Sequence, residues 1–517
     1  MKNSALSFLL WGIFSLLLYG VLRFIFVYWY RPRRLLKHFN QQGITGSSYK
    51  PFHGDMNDFA LASQEVARSR PYSLDHGIVH RVQPFIHRMV QKHGKVFLSW
   101  IEARPRLIVA DSEMMKEILA DKDGHFTKPP LNPLVDLLQV GVSTLEGQKW
   151  ANRRRLMSPA FHYEKLKRMV PTFSESCCEM IGLWKGLIGN GPRELDVAVE
   201  LQTLASDIIS RTAFGSTFAE GKRIFELQKE QVRLVLEAYQ SIYVPGLRFV
   251  PTKKNRRRYE IDREVKSALR AIIERKRKAL REGGSLGDDL LGMLLQSIGE
   301  GDDDDMDHLR IEDVIEECKL FYFAGQETTA NWLTWTMVVL SMHPEWQDRA
   351  REEVSNVCRG KAPTAEDLNS MKIVTMILNE VLRLYPPVTA LFRYTVENTR
   401  VGHISVPAGV DFLVATLMIH HDPEYWGDDA EEFQPGRFAE GASRACKSDQ
   451  AAFFPFGWGP RICLGQSFAV IEAKMALALI LQNFRFELSP SYVHAPCTVI
   501  TLQPQYGAPL ILHPVHN

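Results

Sequence analysis

The feature that most restricts the fold is an apolar run near the N-terminus, ALSFLLWGIFSLLLYGVL at residues 5–22, which continues after Arg23 as FIFVYWY. Roughly 20 apolar residues are needed to cross the hydrocarbon core of a bilayer. Basic residues between positions 31 and 37 follow the run, as the positive-inside rule expects of a cytosolic flank. We therefore predict one membrane helix followed by a cytosolic chain. A cleaved secretory peptide is the alternative, but no small-residue cleavage site precedes the basic residues.

The rest of the chain is predicted to form one large, mainly helical domain. Residues 40–58 are rich in Gly, Ser and turn formers, which is typical of a linker. From about residue 110 to 385 apolar residues recur at spacings of three and four, with short strand-like pieces on either side. We expect an anchor at 1–30, a basic and Gly/Ser-rich linker at 31–58, and a mainly α catalytic domain with small β-sheets at 59–517.

Charge and cysteine usage exclude several classes of protein. The formal net charge is only +2, so nothing in the overall charge points to nucleic acid as a partner. The basic run TKKNRRR (252–258) and the acidic run GEGDDDDMD (299–307) are interpreted as solvated connections between helices. The seven cysteines are odd in number and contain no CxxC pair, which argues against zinc and disulfide frameworks. Such usage fits a reducing compartment.

One cysteine has neighbours that indicate chemistry. The stretch FFPFGWGPRICLGQSFAVIEAKMALALILQNF (453–484) places Phe456, Gly459, Arg461, Cys463 and Gly465 in the pattern F-x-x-G-x-R-x-C-x-G. The glycines permit a tight turn, and a long helix is predicted directly after the cysteine. A helix N-terminus lowers the pKa of a cysteine and favours the thiolate, the form that binds iron. The alternative is an inert buried cysteine that precedes a core helix.

With these residues the chain resembles the cytochrome P450 superfamily over nearly its whole length. The resemblance implies the cytochrome P450 fold and haem b (iron protoporphyrin IX), with Cys463 as the axial ligand of the haem iron. It implies that Arg461 meets a haem carboxylate, and that Phe456 and Gly457 belong to the cofactor-binding loop. Two further motifs, ExxR and FQPGRF, occur in the expected order and imply a buried structural triad of Glu380, Arg383 and Arg437.

The same resemblance assigns cations to the haem propionates. Trp150 and Arg154 in QKWANRRRLMSPAF (148–161) are expected to serve one propionate, and Arg393 in LFRYT is expected to serve the same purpose. The neighbouring Arg153 and Arg155 are expected to face solvent or a partner.

A long helix is predicted at 311–344, with AGQETT (324–329) near its middle and Pro344 at its end. Gly325 and two consecutive threonines are poor helix formers in such a position. A threonine hydroxyl can bond to a carbonyl one turn back and bend the helix, which would leave a groove for dioxygen. Thr328 would then contact oxygen and Glu327 would help to supply protons, although helix capping or small-residue packing is the alternative reading.

The sequence holds no G-x-G-x-x-G after a strand, no flavin fingerprint and no iron–sulfur cysteine cluster. Electrons are therefore expected to come from NADPH through a separate NADPH–cytochrome P450 reductase. The lipid bilayer would be the second partner, since the anchor would hold both proteins on one surface. We expect a single-pass protein of the endoplasmic reticulum membrane with a cytosolic catalytic domain.

Several longer stretches, among them LRLYPPV (382–388) and FGWGPRICLGQ (456–466), look like a plant microsomal group that includes secologanin synthase and hydroxylases of hormones and terpenoids. We therefore expect a haem-thiolate monooxygenase of a lipophilic plant terpenoid or hormone. The segments expected to contact substrate, which include the loop at 499–502, are mainly apolar. Two alternatives stay open at this point. One is a haem-thiolate isomerase or dehydratase that needs no reductase, and the other is a non-catalytic haem sensor or ligand carrier.

Overall fold

The computed structural model describes residues 2–69, 73–130, 132–189, 191–239, 246–282, 289–298, 309–447 and 451–515. Its α-helices are α1 Lys2–Ile25, α2 Arg31–Asn40, α3 Met56–Arg68, α4 Val79–Val82, α5 Pro84–His93, α6 Ser112–Ala120, α7 Gly147–Met157, α8 Tyr163–Ile188, α9 Val197–Phe214, α10 Phe218–Tyr239, α11 Lys253–Arg281, α12 Leu290–Gln296, α13 Ile311–Met342, α14 Pro344–Cys358, α15 Ala365–Ser370, α16 Lys372–Leu384, α17 Thr416–His420, α18 Pro423–Trp426 and α19 Gln466–Asn483. Its strands are β1 Val96–Ile101, β2 Arg104–Val109, β3 Phe126–Thr127, β4 Arg193–Asp196, β5 Leu391–Thr395, β6 Thr399–Val401, β7 Ile404–Val406, β8 Asp411–Val414, β9 Phe484–Leu488, β10 Pro496–Thr498, β11 Leu502–Pro504 and β12 Pro509–Pro514.

The expected mainly α architecture with small β-sheets is confirmed, and the chain divides into two compact units. The first unit comprises Met1–Ser69, Gln83–Pro129 and Phe392–Ala415. It contains a five-stranded sheet of order β1-β2-β8-β5-β3, in which β2 and β8 run parallel and β1 and β2 form an antiparallel pair. Four of the six residues in β1 are buried, which agrees with the apolar character of this segment in the sequence.

The second unit comprises Arg70–Val82, Pro130–Leu391 and Thr416–Asn517. Its core is built around α13 and α19, whose buried faces supply many of the fully enclosed side chains. Two small sheets also belong to it, a three-stranded sheet of order β4-β12-β9 and the hairpin β10–β11. Thr498 pairs with Leu502 in that hairpin, so residues 499–501 form its tip.

The N-terminal helix α1 is exposed along the part whose side chains are described. Trp11 and Leu16 are 68% and 71% exposed, which is unusual for apolar side chains of a water-soluble surface. Among the described residues one helical stretch, Leu9–Asn40, is long and apolar enough to cross a membrane. This stretch includes α2, so part of the segment predicted as linker is helical.

The predicted long helix is present as α13, and Pro344 stands just beyond its end as the first residue of α14. Proline is favoured at this first helical position because its missing N–H would have no partner there. Gly325 has a packing reason that the sequence did not reveal. A Cβ at this position would lie 2.8 Å from two side-chain atoms of Ile209 on α9, so only glycine permits this close approach of the helices.

The interpretation of the two charge runs is half tested. The basic run at 252–258 is not a solvated connection, because α11 begins at Lys253. Arg258 is buried, and its guanidinium donates to the carbonyl of Leu234 over 2.7 Å. Lysine and arginine are good helix formers, and the density of charge concealed that propensity. The acidic run at 299–307 lies outside the described residues.

Candidate active site

The loop that carries Cys463 turns twice before α19 begins. Gly457 and Gly459 have φ values of 78° and 70°, a left-handed conformation that strongly favours glycine. The turn is closed by the backbone N–H of Cys463, which donates to the carbonyl of Phe456 over 2.8 Å. The first residue of α19 is Gln466, so the sulfur lies close to a helix N-terminus as predicted.

The electrostatics of Cys463 differ from the expectation. Burial raises the pKa of its thiol, while the backbone N–H of Gly465 and the charge of Arg154 lower that pKa. The predicted stabilising groups are therefore present, but the loss of hydration outweighs them in the protein chain alone.

Two arginines and a tryptophan surround the cysteine loop. The Arg154 guanidinium donates to the carbonyl of Ile462, the residue before Cys463, over 2.8 Å. The Arg461 guanidinium lies over the Trp150 ring, with its carbon 4.2 Å from the ring centroid. Arg461 also donates to the carbonyl of Leu145 over 2.7 Å and forms an ion pair with Glu146.

Glu146 is a residue that sequence reasoning missed. It precedes α7 and lies 315 positions from Arg461, so no local pattern connects the two. Its carboxylate shows that the Arg461 guanidinium can hold an acidic group at this point. Burial lowers the pKa of Arg461 from its usual value, and the charge of Glu146 opposes that shift, so the arginine remains a cation.

The remaining predicted cations have different surroundings. Arg393 is a buried residue of β5, and its guanidinium donates to the carbonyl of Phe392 over 2.8 Å. Arg155 is exposed, as expected. Arg153 is not, because its guanidinium donates to the buried carboxylate of Glu317 over 3.0 Å and lies 3.2 Å from Asp313. The expectation that Arg153 faces solvent was wrong, since three consecutive arginines on a helix must point in different directions.

Glu380, Arg383 and Arg437 lie together. The Arg383 guanidinium donates to both carboxylate oxygens of Glu380, over 2.9 and 2.7 Å, and neither side chain has any exposed surface. Arg437 Nε lies 3.5 Å from Glu380 Oε1, and the backbone N–H of Gln434 donates to the same oxygen over 3.0 Å. The carbonyls of His420 and Ala430 accept from Arg383 as well, so this cluster joins α16 to the chain that precedes the cysteine loop.

Thr328 and Glu327 lie in the middle of α13 and are half-buried. The Thr328 hydroxyl donates to the carbonyl of Ala324 one turn back over 2.8 Å, the bond that the sequence predicted for this threonine. Glu327 is bound by residues that the sequence did not single out for this purpose. Its Oε1 accepts from the Thr501 hydroxyl over 3.0 Å and from Asn331 Nδ2 over 3.3 Å.

A cavity of about 710 Å³ adjoins Glu327. Phe323, Val499 and Ile500 contribute to its wall, as expected for substrate-contacting segments. The side chains of α9 and α10 on the wall were not foreseen, and many of them are polar. The lining residues are Val199, Gln202, Thr203, Ser206, Phe218, Lys222, Phe225, Glu226, Gln228, Lys229, Glu230, Val232, Arg233, Leu236, Phe323, Gln326, Glu327, Val499, Ile500 and Gln503.

Comparison with known proteins gives a consistent result. A family model described as Cytochrome P450 matches residues 74–505. The chain is 52% identical over 490 residues to cytochrome P450 CYP72A616 of Paris polyphylla, which covers 94% of each chain. It is 46% identical over 511 residues to the 7-deoxyloganic acid hydroxylase of Catharanthus roseus, covering 96% of this chain and 97% of that one. It is also 48% identical over 492 residues to the 11-oxo-beta-amyrin 30-oxidase of Glycyrrhiza uralensis, covering 94% of each.

Proposed function

The chain belongs to the cytochrome P450 family and is a haem-dependent monooxygenase, and from this premise we propose that it inserts one oxygen atom of O2 into a lipophilic plant terpenoid or hormone. The observation that carries the proposal is the likeness, over almost the entire chain, to a 7-deoxyloganic acid hydroxylase and an 11-oxo-beta-amyrin 30-oxidase. Both relatives are named for the oxidation of terpenoid substrates.

The residues around the cysteine loop fit haem in their chemistry. Cys463 supplies a sulfur ligand, and Arg154 next to it favours the thiolate form. Arg461 has a guanidinium that already binds one carboxylate, that of Glu146, which stands in for the kind of group that a propionate presents. Cys463 would hold the iron, while Trp150, Arg154, Arg393 and Arg461 would hold the propionates. Phe456 and Gly457 would shape the loop against the macrocycle. A haem held by a thiolate supplies the activation of dioxygen.

The chain's own part in the reaction is to move protons and to orient the substrate. One oxygen atom enters the product and the other leaves as water, which consumes two protons and two electrons. Glu327 would hold a proton on its carboxylate, and the Thr328 hydroxyl on the next residue of α13 would hand it on. Both carboxylate oxygens of Glu380 accept hydrogen bonds from Arg383, so the triad of Glu380, Arg383 and Arg437 would have a structural role.

Electrons would come from NADPH through a separate NADPH–cytochrome P450 reductase. The apolar helical stretch Leu9–Asn40 supports anchoring in the endoplasmic reticulum membrane, with the catalytic part in the cytosol. In this arrangement residues 1–30 form the anchor, 31–58 the linker and 59–517 the catalytic domain. The bilayer would concentrate enzyme, reductase and lipophilic substrate on one surface.

A reduced carbon monoxide difference spectrum tests the haem assignment. We expect a thiolate-type Soret band in the wild type and its loss in Cys463→Ser. Cys178→Ser is the matched control, since it makes the same substitution at a free cysteine on α8, outside the cysteine loop. Absence of the band from the wild type, or its persistence in Cys463→Ser, contradicts the assignment.

Incubation with reductase, NADPH and ¹⁸O2 tests the reaction. The panel comprises 7-deoxyloganic acid and 11-oxo-beta-amyrin, the compounds in the names of two relatives. One ¹⁸O atom per product molecule and no product without NADPH are expected. A product that forms without NADPH or reductase would support the isomerase or dehydratase instead.

A further inference from the structure

The tip of the β10–β11 hairpin contacts the proposed proton-carrying acid. The Thr501 hydroxyl donates to Glu327 Oε1 over 3.0 Å, and Asn331 Nδ2 donates to the Thr501 hydroxyl oxygen over 2.9 Å. Asn331 Nδ2 is also 3.0 Å from the carbonyl oxygen and 3.3 Å from Oε1 of Glu327. The three side chains therefore form a closed ring of hydrogen bonds between α13 and a segment 174 residues away.

The ring is held in place from both sides. Thr501 and Asn331 are 3% and 2% exposed, so water does not compete freely for their hydrogen bonds. The hairpin itself is fastened to the core, because Trp335 Nε1 donates to the Leu502 carbonyl over 3.1 Å. The N–H of Leu502 in turn donates to the Pro387 carbonyl over 2.9 Å. These bonds therefore fix the positions of the Thr501 and Asn331 donors relative to Oε1 of Glu327.

The other carboxylate oxygen of Glu327 is in a different situation. Among the described residues no hydrogen bond reaches Oε2, and Glu327 lines the 710 Å³ cavity. Lys222 and Lys229 also line this cavity and are exposed, so the cavity reaches the surface. Its wall includes Gln228, whose Oε1 is buried without a hydrogen-bond partner. A cavity of this size with polar groups on its wall can hold ordered water.

We propose that Thr501 and Asn331 are positioning residues that bind Oε1 of Glu327 and so direct Oε2 to the cavity as the atom that collects protons. A hydronium ion that forms in the cavity water from solvent protons gives a proton to Oε2 and becomes neutral water, and the carboxyl group releases that proton on the Thr328 side of α13. The carboxylate is regenerated at each transfer, and the two protons that the monooxygenase reaction consumes come from solvent through the cavity. This proposal rests on the proposed roles of Glu327 and Thr328.

The first test compares Thr501→Val with Thr501→Ser in the full-length protein. Valine keeps the shape but has no hydroxyl, whereas serine keeps the donor. With reductase, NADPH and whichever panel compound the wild type oxidises, product formed per NADPH should fall roughly tenfold in Thr501→Val, since general acid catalysis is worth 10²–10⁴ and only its alignment is lost. Hydrogen peroxide release per NADPH should rise in Thr501→Val. The solvent isotope effect on the rate of product formation, measured in D2O, should differ from that of the wild type. Thr501→Ser should stay within about twofold of the wild type by the same principle.

The second test needs no turnover. The infrared stretching band of the Glu327 carboxyl group is identified by its absence from Glu327→Gln. It should shift in Thr501→Val, because Oε1 loses one donor, and should stay in place in Thr501→Ser. The proposal is overturned if the band is unchanged in Thr501→Val. It is also overturned if Thr501→Val and the wild type form the same amount of product per NADPH, the ratio called coupling below.

Glu327→Gln distinguishes the proposed proton-carrying role of Glu327 from the proposed positioning role of Thr501 and Asn331. Glutamine keeps an oxygen for Thr501 and Asn331 but cannot carry the proton. If Glu327→Gln uncouples while Thr501→Val does not, the positioning proposal fails and the role of Glu327 stands. If Glu327→Gln couples like the wild type, the proposed role of Glu327 fails and the positioning proposal fails with it. A normal carbon monoxide spectrum and an unchanged unfolding temperature in each variant exclude misfolding as the cause.

Discussion

Two glutamates of the same unit, Glu380 on α16 and Glu327 on α13, have opposite surroundings. Glu380 has no exposed surface, and both of its oxygens accept hydrogen bonds from Arg383. Glu327 is half-buried, and its hydrogen bonds from Thr501 and Asn331 reach a single oxygen. The first carboxylate faces cations, whereas the second accepts from an alcohol and an amide, neither of which carries charge.

The difference separates a carboxylate that holds the fold from one that can exchange protons. Removal of the buried charge of Glu380 leaves the Arg383 cation uncompensated. Removal of the charge of Glu327 leaves no such cation, because its hydrogen-bond donors are a neutral hydroxyl and a neutral amide. Sequence motifs place both residues near the site, but only their partners distinguish their roles.

The largest expected effect is that of Glu380→Gln. The substitution keeps the shape but leaves Arg383 buried without a counter-charge, while Arg437 keeps only its ion pair with Asp429. Loss of one partner costs about 3–5 kcal/mol for a buried pair. We expect little folded protein and no thiolate-type band in the carbon monoxide spectrum. The measurements are the amplitude of that band and the unfolding temperature.

The control for this prediction removes both charges. Glu380→Gln/Arg383→Gln leaves fewer uncompensated cations, so it should lose less stability than the sum of the single variants. A wild-type spectrum in Glu380→Gln would show that the cluster is dispensable and would remove the contrast with Glu327.

Glu317 provides an intermediate case on α13. It is fully buried, accepts from Arg153 over 3.0 Å and from the backbone N–H of Val142 over 3.2 Å, and burial raises its pKa to about 7 despite the arginine. The folded protein therefore binds more protons than the unfolded chain between pH 4.5 and 7. Stability from this group is present below about pH 4.5 and is lost as the pH rises through about 7, by about 3 kcal/mol in total.

The measurement is the difference in unfolding free energy between the wild type and Glu317→Gln, followed from pH 5 to 7.5 in denaturant titrations. We expect the unfolding free energy of the wild type to fall relative to that of Glu317→Gln as the pH rises. Glu312→Gln is the matched control, because Glu312 lies on the same helix and is exposed. A difference that stays flat with pH, or the same slope in both variants, would contradict the prediction.

Local patterns predicted the elements of the site, and long-range contacts decided their environment. The glycine turn, Cys463 and the helix after it lie within a dozen residues, so spacing alone was sufficient. The ExxR pair lies within one helical turn. The partners that sequence reasoning missed lie far away, with separations of 315 residues for Glu146 and Arg461, 174 for Thr501 and Glu327, and 164 for Arg153 and Glu317. Periodicity describes a single helix or strand and carries no information about which side chains meet across the core.

The same limit explains Gly325. The sequence marked Gly325 only as an unfavourable residue in the middle of a helix and attributed the predicted groove to a threonine hydroxyl. The structure gives a contact reason, since Ile209 of α9 occupies the space that a Cβ would need. The requirement lies on another helix, and a single sequence cannot display it.

The smallest expected effect is that of Glu327→Gln on stability, and it is the most direct test of the contrast with Glu380. The amide oxygen can still accept from Thr501 and Asn331, and no buried cation loses its partner. We expect the free energy of unfolding to change by less than about 1 kcal/mol, the size of one neutral hydrogen bond. The same denaturant titration that measures Glu380→Gln measures this variant. A loss as large as that of Glu380→Gln would mean that Glu327 also holds the fold, and the distinction between the two carboxylates would fail.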